Sequence, residues 1–189
     1  MNKKNGYRWT WKSAAILIIL LIMNALENKT YAQETAGAAP GFKETCNEKI
    51  ITGKTNLEQL EQIPEFWTEY LRHYADYVID MEKLAEISRE LKNKSLKITA
   101  VIGSWCGDTK EQMPVFQKII DNLHGDKPAI DYIGVNRDKL ADGLDISHLN
   151  IDFIPTFIFY ENGREIGRIV ETPASTMEND MLLMLKKEK

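Results

Sequence analysis

Two cysteines in 189 residues cannot build a disulfide framework or a four-thiolate zinc site, so any cysteine chemistry here is that of individual thiols. Glycine (11) and proline (6) are scarce and 43% of residues are hydrophobic, which excludes collagen-like, low-complexity and disordered chains. Positive charge is short as well. With 24 Lys and Arg against 28 Asp and Glu the net charge is −4, so nucleic acid is not an expected partner. The apolar run Ala14 to Met23 is about half the ~20 residues that a membrane-spanning helix needs. His73, His124 and His148 lack metal-ligand spacing with one another or with either cysteine, so neither a metal nor a bound cofactor is expected. No phosphate-binding glycine loop or Ser/His/Asp arrangement stands out.

What is present divides the chain. Lys3, Lys4, Arg8 and Lys12 precede the apolar run, and Thr30-Tyr31-Ala32 follows it, with small residues at the first and third places. Basic, short-apolar, small-residue order predicts a secretory signal peptide over residues 1–32, the alternative being an uncleaved amino-terminal anchor. That stretch carries five basic residues and one acidic one, so the remainder is more acidic, as suits a secreted protein with no stable membrane insertion. Residues 33–45, with Gly-Ala-Ala-Pro-Gly, read as a linker.

Periodicity then predicts a helical extension over residues 46–94, comprising a short helix from Leu57 and a longer one from Pro64 to Asn93. Residues 95–189 follow as an α/β core. Leu96–Ile102, Ile130–Val135, Thr156–Tyr160 and Glu165–Val170 read as strands. Gly107–Leu123, Asp145–Leu149 and Ala174–Lys187 read as helices, and Asn162-Gly163 as a hairpin turn. A mixed sheet covered on both faces is expected.

Chemistry concentrates in Ser104-Trp105-Cys106-Gly107-Asp108-Thr109, where a buried strand ends and a helix begins. A thiol there faces unpaired backbone N–H groups and the positive end of the helix dipole, which favour a thiolate. The Asp108 carboxylate works the other way. Thr109 is placed to donate a hydrogen bond to the sulfur, and Gly107 leaves room for a partner chain. Without context, a lone cysteine reads as a small buried hydrophobe.

Context changes that reading. Trp105-Cys106-Gly107, with Pro114 eight residues after the cysteine, resembles the thioredoxin active site, and Phe153-Ile154-Pro155-Thr156 resembles the segment that opens the thioredoxin hairpin. Both motifs occur in the family's order. The resemblance implies a thioredoxin-like mixed sheet flanked by helices, here with an extra amino-terminal helical segment, and a cis peptide bond before Pro155. It also suggests a bacterial subgroup carrying Trp-Cys-Gly-Asp. Three positions depart from the pattern: Thr109 stands where the second active-site cysteine falls, Ala100 where a buried acid falls, and no clear match to a late glycine occurs near Glu171.

The resemblance makes Cys106 a nucleophile, gives Thr109 a thiolate-bonding role, has Trp105 shield the sulfur, and assigns Gly107, Ile154 and Pro155 to substrate binding. One active-site cysteine forms a mixed disulfide but cannot resolve it, so an external thiol, or Cys46 as a resolving thiol, would complete the cycle. Protein or small-molecule thiols and disulfides are then the partners, in a bacterial periplasm or cell envelope. The alternative is a redox-inactive thioredoxin-fold module that binds extended peptide beside Pro155.

Overall fold

The computed structural model describes residues 49–92 and 94–186. The signal segment, the linker and Cys46 lie outside the described residues.

Three residues, Gly53–Thr55 (β1), open the fold as a strand, followed by helices Leu57–Glu61 (α1), Pro64–Asp76 (α2) and Met81–Leu91 (α3). Sequence periodicity runs α2 and α3 together, but they are separate helices. Asp80 caps α3 by accepting the N–H groups of Glu82 and Lys83, both at 3.1 Å. The intervening segment is tied to the far end of the chain by Glu178, which is fully buried and accepts both the Tyr77 hydroxyl (2.6 Å) and the Asp80 N–H (3.2 Å). A carboxylate so placed satisfies two donors that a continuous helix would have oriented differently. Asp80→Ala removes the cap, and an unfolding free energy lower by about 1 kcal/mol is expected in a denaturant titration.

The extension is therefore not purely helical. β1 was not legible because three residues, Gly-Lys-Thr, give no period to read. It pairs antiparallel with Ala129–Gly134 (β3), Gly53 opposite Gly134.

The core continues through Leu96–Ile102 (β2), Gly107–Asn122 (α4), β3, a single 3-10 turn at Ser147–Leu149, Thr156–Glu161 (β4), Arg164–Val170 (β5) and Met177–Lys186 (α5). The strand order is β1-β3-β2-β4-β5. Only β2 and β3 are parallel, joined by α4 as a crossover, and the remaining pairs are antiparallel. Asn162 and Gly163 both adopt positive φ (52° and 79°), the requirement of a tight two-residue turn between twisted strands.

Alternation along the strands separates two cores. Ile98, Ala100, Ile102, Phe157 and Phe159 face the helices, where Phe66, Leu84, Ile87, Phe116 and Met181 complete one buried cluster. The opposite face carries Val101 and Ile158. It is covered by Val135, Ala141, Ile146, Leu149 and Ile154 from the long connection between β3 and β4. Both faces are covered, as the hydrophobic pattern requires, but helices α1 to α5 share one of them. The segment expected as a helix at Asp145–Leu149 contracts to the 3-10 turn, whose Ser147 N–H is accepted by Asp145 Oδ1 at 3.0 Å.

Candidate functional site

β2 delivers the chain to Gly103, and α4 takes it away from Gly107. Between them Cys106 is the amino-terminal cap residue of a 16-residue helix. Its backbone is extended (φ −88°, ψ 131°), its N–H donates to Gly103 O at 2.9 Å, and its side chain makes no cap hydrogen bond. The sulfur is thus left at the end of the helix where partial positive charge accumulates. Cys106 is half-buried, and its thiol donates to Ile154 O at 3.5 Å.

The Ile154–Pro155 peptide bond is cis. Ile154 and Pro155 are buried at the start of β4, while Phe153 beside them is 55% exposed. The two carbonyls at this corner have different uses. Pro155 O accepts the Glu171 N–H at 2.7 Å and is committed to the fold, whereas Ile154 O faces the thiol. Glu171 adopts φ 56°, the left-handed conformation that glycine takes without strain, at the point where the family resemblance leads one to look for a glycine.

Trp105 lies against the same cluster as Cys106. Its indole Nε1–H donates to Val135 O at 3.0 Å, and the Arg137 guanidinium stacks over its ring at 4.7 Å from the centroid. The indole and Ile154 close over Gly103, where an added Cβ would meet Ile154 Cδ1 at 2.5 Å and Trp105 Cε2 at 3.0 Å. A side chain at Gly103 would push both away from the backbone. Above Gly107, by contrast, an added Cβ would meet nothing within 4 Å among the described residues, which leave the approach open on that side.

Thr109 is turned toward the end of β2. It is fully buried, and its Oγ1 accepts the Gly103 N–H at 3.3 Å. No hydrogen bond joins it to Cys106. The hydroxyl closes the turn between β2 and α4 because three residues into the helix the side chain points back toward the strand end. Ala100 is also fully buried, in the face covered by the helices. Neighbouring contacts stiffen the loop: Ser104 Oγ accepts the Ile51 N–H at 3.2 Å, and Arg168 donates to Leu149 O at 2.9 Å. Arg168 also holds the Glu165 carboxyl below its ordinary range through a side-chain hydrogen bond.

The structure therefore brings Trp105, Cys106, Ile154 and Pro155 together, keeps Gly107 at the rim, and turns Thr109 inward. Gly103, Val135 and Arg137 were missed in the sequence. Gly103 had a signal, since it is a glycine closing a buried strand directly before the motif. Arg137 had none, because its stack on Trp105 spans 32 positions of chain.

A family model described as Thioredoxin matches residues 53–184. Thioredoxin of Ictalurus punctatus is 33% identical over 103 residues, covering 53% of this chain and 92% of that protein. Thioredoxin of Gallus gallus is 33% identical over 85 residues, covering 44% and 75%. A solved structure of a protein of unknown function from Pseudomonas aeruginosa aligns with a TM-score of 0.47 at 13% identity, covering 72% of this chain and 93% of that one.

Proposed function

This chain belongs to the thioredoxin family, and from that premise we propose that it carries out thiol–disulfide exchange through one nucleophilic cysteine, Cys106, as a monothiol Trp-Cys-Gly-Asp variant. The observation that carries the reading is the seating of the sulfur: half-buried, at the amino terminus of a long helix, 3.5 Å from Ile154 O and beside open space at Gly107. In the exchange step the Cys106 thiolate attacks one sulfur of a substrate disulfide. The substrate S–S bond breaks, a mixed disulfide forms on Cys106, and the displaced half leaves as a thiolate. An incoming thiolate then attacks the mixed disulfide, restoring Cys106 and leaving with the substrate half as a new disulfide. Thr109 cannot supply that thiol, so a low-molecular-weight or protein thiol does so, with Cys46 as the second candidate.

Ile154 O, now bonded to the thiol, would exchange that hydrogen bond for one to substrate backbone, while Trp105 shields one side of the sulfur. The basic, apolar and small-residue order of residues 1–32 supports export to a bacterial cell envelope. The test is the rate at which the reduced full chain accelerates exchange between 2-hydroxyethyl disulfide and dithiothreitol. Acceleration over the uncatalysed rate is expected. No acceleration by folded protein would favour the peptide-binding module, a reading to which the exposed Phe153 beside Pro155 lends some support.

A further inference from the structure

We propose that the sheet face at the amino-terminal end of β2 is a second binding site, taking an uncharged small molecule with an apolar body and one hydroxyl or carbonyl group. Cys106 follows the opposite end of β2, so the site stands apart from the exchange chemistry and does not rest on it. A cleft of about 590 Å³ opens on this face, between the strands β2, β3 and β4 and the residues Leu144, Ile146 and Leu149 of the β3–β4 connection. That volume falls within the range of small-molecule sites.

Strand alternation sets the floor. Ile98, Ala100 and Ile102 point to the helices, so Lys97, Thr99 and Val101 point to the other face. Val101 is sealed beneath Ile146 and Leu149 in the second core, and Thr99, two residues earlier, lines the cleft where that cover gives way. In register, Thr99 lies between Asp131 of β3 and Ile158 of β4. The opposite wall is held from two directions: the Leu149 N–H donates to Ile146 O at 2.9 Å, and Arg168 donates to Leu149 O at 2.9 Å. A wall so tied gives a site that is formed before its ligand arrives.

Thr99 is the residue that points to a ligand. It is only 7% exposed, yet its hydroxyl has no hydrogen-bond partner among the described residues. Valine has nearly the same shape and would fill a buried strand position without the cost of an unpaired oxygen. A hydroxyl on the wall of a cleft offers one donor and two acceptor sites to whatever enters. The charges on the cleft favour a neutral occupant. Lys97 and Asp131 neutralise each other in a 2.7 Å ion pair, and Asp145 is engaged by the Ser147 N–H. An ionic ligand would shed its water without gaining an unmatched countercharge. Ile133, Ile146 and Leu149 supply apolar surface for the body of the molecule, and its polar group turns to Thr99 Oγ1.

The test titrates the isotope-labelled full chain with 2-naphthol and follows the backbone amide signals by nuclear magnetic resonance. Saturable shifts are expected at Thr99, Asp131 and Leu149, with Cys106 and Gly107 unmoved. Thr99→Val is expected to weaken binding about tenfold, the loss of one hydrogen bond, whereas Thr99→Ser keeps the hydroxyl and stays within about threefold of the parent. 2-Naphthoate, the same ring system carrying a carboxylate, is expected to bind about tenfold more weakly than 2-naphthol. The amide spectrum shows directly that each variant is folded. No saturable shift at the cleft residues of a folded chain would overturn the proposal, as would shifts centred on Cys106 and Ile154. Equal affinity of the parent and Thr99→Val would remove the role of the hydroxyl and with it the proposal. Naphthoate binding as tightly as naphthol would overturn the assignment of an uncharged ligand.

Discussion

Replacing Cys106 by serine is expected to reduce catalysed exchange to the uncatalysed background, a loss of roughly three orders of magnitude or more. A hydroxyl is not a nucleophile toward disulfide sulfur at neutral pH, and no second thiol stands in the turn to replace it. The same variant should unfold no more easily than the parent. Cys106 occupies the cap position of α4 without making a cap hydrogen bond, and among the described residues its side chain's only hydrogen bond is the 3.5 Å contact to Ile154 O. Serine is among the best residues at that position and would gain a bond to the first turn, worth up to about 1 kcal/mol. Activity and stability thus move in opposite directions, which a structural role for the cysteine would not produce. The measurement pairs the exchange rate with a denaturant titration of both proteins.

The largest stability effect is expected at Phe116, on the face of α4 that meets the sheet. The ring is fully buried, 4.5 Å from Phe157 and in an edge contact with Phe159 at 6.5 Å. Phe116→Ala leaves a cavity between two strand aromatics that cannot collapse without bending β4. A loss of about 3–5 kcal/mol follows, lowering Tm by roughly 10 °C. Calorimetry or thermal circular dichroism reads it directly. The contrast with Cys106 is informative, since one helix carries both residues. Ten residues along α4 separate the change that removes chemistry from the change that removes stability.

The parts of the fold legible in the sequence were those with a strong local period. β2 is a nearly continuous apolar run, and its bounds agree with the expectation from Leu96 to Ile102. The Asn162-Gly163 turn was legible for a similar reason, because few residues other than Asn and Gly tolerate two successive positive φ values. The α2–α3 break was not legible, because its cause is Glu178, about a hundred residues away, whose carboxylate gathers Tyr77 and Asp80. Long-range satisfaction of polar groups leaves no trace in a period.

The site divides in the same way. Trp-Cys-Gly and Ile-Pro-Thr identified the two segments that meet, since each is a short contiguous motif. How the residues between them are used depends on direction. Thr109 is fully buried with its oxygen turned to the Gly103 N–H, an orientation that spacing along a helix does not distinguish from one facing the sulfur. Arg137 reached the site through a ring face rather than through sequence proximity.

The most direct test of the central claim is to trap the sulfur in the act. The full chain bearing Cys46→Ser, reduced and then exposed to 2-hydroxyethyl disulfide, is digested without reduction and mapped by mass spectrometry. The predicted result is a mercaptoethanol adduct on Cys106 that is discharged by added thiol. An unmodified Cys106 in a folded chain, under conditions where a free model thiol reacts, would contradict the account and leave the groove beside Pro155 as a binding surface without exchange chemistry.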